Sequence, residues 1–196
     1  MRNITVFLLG VIIGFGIVFE IQYRNQLADR IQVLETNQQF HTETITSIRV
    51  ILTSLFKQIQ STYEHKTQLE CTSKNLYFEA AGEPIQGKMA IAQVVNNRLN
   101  KRNKYDNVCD VVYEPKQFSW VDDHLPNTPN IKNKIDKRAW NESVSVADMY
   151  LNDNYNQDPE LMNATMYHAV WAQPNWDYGK LRRIKAVGNH VFYEEL

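Results

Sequence analysis

The chain has 196 residues, enough for one domain with an extension. Its 21 basic and 22 acidic residues nearly balance, with six of each in residues 1–70 and 15 against 16 in residues 71–196. No part carries the positive excess that a phosphate backbone calls for, and the seven glycines form neither G-x-x-x-x-G-K-S/T nor G-x-G-x-x-G, so nucleic acid and phosphate-loop chemistry are excluded.

Residues 4–19, ITVFLLGVIIGFGIVF, carry no charge. The run falls short of the about 20 apolar residues that span a bilayer, but Ile21 and Tyr23 extend it if Glu20 snorkels to the interface. No small-residue cleavage site follows it. Residues 1–23 are therefore expected to form an uncleaved signal-anchor, single-pass, with the amino terminus inside and the bulk of the chain on the periplasmic, extracytoplasmic side. Gly10 and Gly14 have the spacing that packs two such helices together, or are simply glycines of a lipid-facing helix.

Residues 24–70 read as a helical stalk without Gly or Pro. A heptad frame places Arg24, Ile31, Gln38, Ile45, Leu52, Ile59 and Lys66 at a, and Leu27, Leu34, His41, Ile48, Leu55, Thr62 and Leu69 at d. The stripe is apolar from Leu27 to Leu34, breaks at Gln38 and His41, and is apolar again from Ile45 to Ile59. A coiled coil that makes the chain a homodimer is one reading. A helix packed on its own domain, or a helical hairpin broken near residues 38–42, is the other.

Residues 71–196 are long enough for one compact core. CTSKNLYFEAAG reads as a short helix closed by Gly82. PIQGKMAIAQVVNNRLNKR reads as the next, with Pro84 in its first turn and Ile85, Met89, Ala92 and Leu99 at helical spacing. YDNVCDVVY is a short helix or strand, and EPKQFSWVDDHLPNTPN, with three prolines, is largely loop. IDKRAWNESVSVADMYLNDN is helical, with Trp140, Val144, Ala147 and Leu151 on one face. ATMYHAV and HVFYEEL are the strand candidates, around the loop WAQPNWDYGKLRR. The expected class is α+β, mainly helical with a small sheet. Cys71 and Cys109 would form one disulfide in an oxidising compartment, or remain two buried thiols in the cytosol; the apolar amino-terminal run favours the disulfide.

Candidate chemistry begins with Glu79, which follows Leu76, Tyr77 and Phe78 directly. A carboxyl that stays protonated near neutral pH must be partly desolvated, and the end of a helix raises its pKa further. The alternative is an ordinary surface-helix glutamate. Glu83, beside Pro84 at the start of the following helix, reads as an N-terminal charge partner and not as an acid. Aromatic residues interleaved with amides and hydroxyls suit carbohydrate, since rings stack on the C–H faces of sugars. Tyr77, Gln117, Ser119, Tyr167 and His168 are the candidates to orient a sugar, with Trp120 and Trp176 as stacking platforms; the alternative for each ring is core. His168 and His190 are hydrogen-bonded residues in preference to metal ligands, and no metal or other cofactor is expected.

NLYFEAAGEPIQGKMAIAQVVNNRL, VCDVVYEPKQFSW, MYHAVWAQPNW and AVGNHVFY, in that order, resemble the SleB/CwlJ-type cell wall hydrolases, over about residues 71–193. These peptidoglycan-cleaving enzymes are named for spore germination and also occur in other bacteria and in phages. The resemblance implies a lysozyme-like fold and a catalytic glutamate after a Tyr-Phe pair, which here is Glu79. The family often has Arg where this chain has Ala81, a departure that spares the acid. The expected partner is the peptidoglycan glycan strand, and the expected reaction is cleavage between N-acetylmuramic acid and N-acetylglucosamine. A lytic transglycosylase needs one carboxylate and a muramidase normally two; no second carboxylate is marked among Asp106, Asp110, Asp122 and Asp123, which favours the first. The alternatives are a metal-dependent amidase and a membrane-tethered binding or lysis scaffold without turnover.

Overall fold

The computed structural model describes residues 2–123, 127–152 and 156–196, with side chains from residue 16 onward. Residues 1–59 and 60–196 form two compact units.

The described residues of the first unit, 2–59, are all helical. Its helix is the first part of α1 (Arg2–Ala80), which has no proline and runs without interruption through residues 38–42, so the broken-hairpin reading is corrected: nothing in Gln38–Thr42 disfavours helix strongly enough to break it. The apolar a and d residues between Leu27 and Ile59 are exposed. Among the described residues no helix is long and apolar enough to cross a membrane. Most of the expected anchor, residues 1–15, lies outside the residues whose side chains are described.

The second unit gathers residues 60–80 of α1, α2 (Ile85–Lys101), α3 (Val108–Val112), α4 (Ser119–Asp122), α5 (Lys134–Leu151) and three strands, β1 (Met166–Ala169), β2 (Leu181–Val187) and β3 (His190–Glu195). The described residues are thus mostly helical, with a three-stranded antiparallel sheet in the order β1-β3-β2. α2 is the central element. Met89 and Ala92 of its expected stripe are buried, but so are Ala90, Ile91, Val94 and Val95, because neighbours cover the helix on most sides, whereas Ile85 in its first turn is 55% exposed. On α5 the buried face is Ser143, Val146, Ala147 and Tyr150, one step round from the expected stripe, of which only Ala147 is buried. The expected helix end at 153–154, and residues 124–126 of the expected loop, lie outside the described residues.

Two core clusters result. Leu76 and Ala80 of α1 pack with α2, α5, Leu161 and Phe192. Val95 packs with Val108, Val111, Val112, Phe118 and Trp120 in the second. A polar ladder on α2 ties in the segment before β1: Asn97 Nδ2 donates to the carbonyls of Leu161 (2.8 Å) and Ala164 (2.7 Å), and Gln93 Nε2 to that of Asp158 (2.9 Å). These amides satisfy carbonyls that burial would otherwise strand.

Cys71 in α1 and Cys109 in α3 are joined by a disulfide. Asn107 fixes the start of α3: its side chain accepts from the N–H groups of Cys109 and Asp110, while the Asp110 carboxylate accepts from the Asn107 N–H. The disulfide links a capped short helix to the turns of α1 that lead into Glu79.

The expected strands β1 and β3 are present; β2 lies within a stretch read as loop and unassigned chain. Its sequence, LRRIKAV, alternates poorly because β2 is an edge strand, where charge is tolerated and blunts edge pairing. The β2–β3 turn is Gly188-Asn189, with Gly188 at φ 57°, the positive value that the first central residue of a type II′ hairpin turn requires.

Candidate active site

Glu79 sits in the last turn of α1. Leu76 and Ala80, four residues apart, point the same way into the core and are at most 2% exposed. Glu79, three residues after Leu76, flanks that buried face and is half-buried. The turn beyond it is held from below by Lys88, itself 1% exposed, whose Nζ donates to the carbonyls of Ala81 (3.2 Å) and Glu83 (2.6 Å). Ala81 thus contributes through its backbone, and its exposed side chain is not needed for that contact.

Across from the acid, the Tyr167 hydroxyl donates to Glu79 Oε2 at 3.2 Å. Burial raises the Glu79 carboxyl above the ordinary carboxylate range, against the Tyr167 hydrogen bond and the charge of Arg98, both of which favour the ionised form. Burial, followed by the nearby Glu79 charge, holds the Tyr167 phenol well above its usual pKa, so the hydroxyl keeps its proton and remains a donor. Arg98 is 5% exposed; its Nε donates to the Thr165 carbonyl at 2.6 Å and its guanidinium lies 5.4 Å from the Phe118 ring centroid. The result is an acid biased towards its protonated form, oriented by a phenol and overlooked by a buried cation.

Strand geometry separates residues that are neighbours in sequence. Tyr167 is paired with Phe192, and His168 with Val191, so the two side chains leave β1 on opposite faces. Tyr167 packs on Phe192 and His190, with ring centroids 5.7 and 5.3 Å away. On the other face His168 stacks on Tyr193 and meets Trp176 edge-on, at 5.3 and 5.4 Å. Its Nδ1 and Nε2 lie 2.8 Å from the Ala169 carbonyl oxygen and 3.0 Å from the Tyr193 hydroxyl. Tyr167 and His168, both expected to orient the sugar, therefore lie on opposite faces, and Trp176, expected as a stacking platform, sits on the His168 side. The same alternation sets His168 and His190 on opposite faces, so they do not converge on one ion.

Trp120 is also corrected as an open platform. It is 5% exposed, its ring stacks on Phe78 at 4.7 Å, and its Nε1 donates to Asn75 Oδ1 at 3.3 Å. It forms a wall of a cleft of about 660 Å³ that also includes Tyr77, Phe78, Asn127, Asn130 and Lys132. Tyr77 is half-buried and meets Trp140 edge-on at 6.0 Å. The cleft therefore opens beside the two residues that precede Glu79. Gln117 is half-buried and Ser119 exposed, at the end of a turn where Lys116 takes φ 66° and its N–H donates to Asp122 Oδ2 at 2.6 Å.

Glu83 does not act chiefly on the start of α2. Its carboxylate accepts from the Asn189 N–H and Nδ2, both at 2.9 Å, and lies 3.6 Å from His190 Nδ1. Burial pushes the His190 pKa down, against the pull of Glu83, so the ring is favoured neutral. Gly188 is glycine for two reasons, its positive φ and its closeness to this carboxylate: a Cβ there would lie 1.9 Å from Glu83 Oε2. Arg98, and the link from Glu83 to the hairpin, were not read from the sequence. Gly-Asn before HVFY was the available signal for the hairpin; nothing in NNRLN singles out Arg98.

Comparisons with known proteins bear on this site. The spore cortex-lytic enzyme of Halalkalibacterium halodurans is 30% identical over 125 residues, covering 63% of this chain and 34% of that protein. The Bacillus subtilis spore cortex-lytic enzyme is 30% identical over 120 residues, covering 61% and 35%. The chain thus spans about a third of the length of these curated relatives. Among solved structures, the catalytic domain of the Bacillus cereus SleB protein aligns at 26% identity with a TM-score of 0.44, covering 65% of this chain and 89% of that one. The catalytic domain of the germination-specific lytic transglycosylase SleB from Bacillus anthracis aligns at 26% and 0.45, covering 64% and 92%. The family model described as Cell Wall Hydrolase matches residues 82–193, beginning just after Glu79 and taking in Glu83, Arg98, Tyr167 and the hairpin. That match covers more than half of the chain, and the chain belongs to the cell wall hydrolase family.

Proposed function

We propose that the chain degrades peptidoglycan by cleaving the glycosidic bond between N-acetylmuramic acid and N-acetylglucosamine, with Glu79 as the acid. The observation that carries this reading is the half-buried carboxyl of Glu79, raised in pKa and held by the Tyr167 hydroxyl at the end of α1. Family membership and the likeness to spore cortex-lytic enzymes support it.

In the proposed reaction the protonated Glu79 gives its proton to the leaving glycosidic oxygen as the C1–O bond breaks. The carboxylate formed accepts the Tyr167 hydrogen bond and then takes the proton from the C6 hydroxyl of the same muramic acid, whose oxygen closes on C1. The product is a 1,6-anhydro sugar, Glu79 is protonated again, and no water is consumed. Attack by water at C1 would instead hydrolyse the bond and would normally call on a second carboxylate. Tyr77 and Phe78, the two residues before Glu79, line the cleft and offer apolar surface for a sugar ring.

Mass spectrometry of the soluble fragments tests this, using the full chain in detergent with Glu79→Gln alongside. Anhydromuropeptides from the native protein and none from the variant are the expected result. Reducing-end muropeptides would keep Glu79 and replace the C6 hydroxyl with water. Free stem peptides would indicate an amidase, and sacculus binding without fragments a scaffold; either would overturn the glycosidic reading. The disulfide already takes both cysteines out of contention as amidase nucleophiles.

The apolar run 4–19 anchors the chain in this proposal, with residues 71–196 on the extracytoplasmic side where the polymer lies. The disulfide supports that side, since such bonds persist in oxidising compartments.

A further inference from the structure

The exposed face of α1 is unlike the rest of the surface. Between Leu27 and Ile59 its a and d residues leave about half or more of their area in solvent, 67% at Leu34 and 60% at Ile45. Exposed g and e residues widen the stripe in its second half, where Ile51 and Phe56 flank Leu52 and Leu55. A lone helix in water draws little stability from propensity and most from packing an apolar face. A soluble surface rarely exposes so continuous a stripe without a partner.

The identity of that partner is written in the repeat. We propose that residues 24–59 pair with the same residues of a second copy as a parallel, two-stranded coiled coil. Ile at a with Leu at d favours two parallel strands. Ile31, Ile45 and Ile59 hold three of the four apolar a positions, and Leu27, Leu34 and Leu55 three of the four apolar d positions. Leu52 and Ile48 are the exceptions. Gln38 at a and His41 at d form one polar layer, which a shifted register would set against apolar residues of the other copy. Arg30 at g then faces Glu35 at the following e position of the other chain, twice by symmetry, and both residues are exposed. The pairing does not depend on the reaction proposed above.

Cysteine cross-linking of the full chain in detergent tests it, since the two native cysteines are already joined. Leu27→Cys and Leu52→Cys should each give a covalent dimer under mild oxidant, whereas Val33→Cys, at the outward c position, should not. Light scattering should give about twice the chain mass, and Ile48→Glu with Leu55→Glu should halve it. A monomer at the start, or equal cross-linking at Val33→Cys, would overturn the proposal. So would cross-links only when Leu27→Cys and Leu52→Cys are mixed, which would mean antiparallel helices. A dimer that survives the double Glu variant would place the contact in the apolar amino-terminal run instead.

Discussion

Burial and the Tyr167 hydroxyl pull Glu79 in opposite directions, and in the proposed reaction their balance sets the pH at which it works. Burial is the larger effect, so the acid stays protonated above the ordinary carboxylate range. Activity should be present below the raised pKa and fall as pH rises through it, because the ionised form has no proton to give. Tyr167→Phe removes a contribution that favours the ionised form. The Glu79 pKa then rises further, so the alkaline limb of kcat/KM should move to higher pH. The carboxyl also loses its orienting partner, and kcat should fall by about tenfold. Glu79→Gln removes the proton donor altogether, and the fall should be about 10²–10⁴-fold without a pH limb. A Tyr167→Phe limb displaced to lower pH would mean that the hydroxyl acts other than by stabilising the carboxylate.

Gly188 and the disulfide carry this argument from the residue to the element. Gly188→Ala forces a side chain into positive φ and into the Glu83 carboxylate, at a cost of about 1–3 kcal/mol. Differential stability in urea should show it, and activity should fall more than the folded fraction, because the hairpin carries Phe192 and His190 against Tyr167. Cys71→Ser with Cys109→Ser opens a link across 38 residues and should cost about 4 kcal/mol in the chain-entropy description. Tryptophan fluorescence reports it cleanly, since Trp120, Trp140, Trp171 and Trp176 all lie in the second unit. The elements were legible where one local signal sufficed. Pro84 marked the start of α2, and Tyr-Phe before Glu79 marked a carboxyl set in apolar company. β2 was missed because an edge strand with two arginines shows no period, although Gly-Asn was in plain view. The candidate site was legible as residue types but not as a face. Tyr167 and His168 are adjacent in the chain, and only the pairing of β1 with β3 decides which of them meets Glu79. Arg98 is set by packing of α2 on Phe118 and Thr165, contacts more than 15 residues away in sequence, and no local pattern encodes them.

For the whole molecule, the proposed anchor raises the question of which side of a membrane the second unit would occupy. The amino-terminal run has Arg2 before it, while Glu20, Arg24, Asp29 and Arg30 follow, so the positive-inside rule specifies the orientation only weakly. The cysteine pair adds a separate argument, because the reducing cytosol would keep Cys71 and Cys109 as thiols. The cysteine pair thus supports the proposed orientation, with the amino terminus inside and the second unit outside. Protease added to intact spheroplasts that express the full chain should then remove the second unit and leave a fragment of the apolar run in the membrane pellet. Thiol labelling before lysis should find no free cysteine. Protection of the second unit until the cells are lysed, together with two reactive thiols, would reverse the orientation. It would also leave the proposed glycosidase on the side of the membrane away from its polymer.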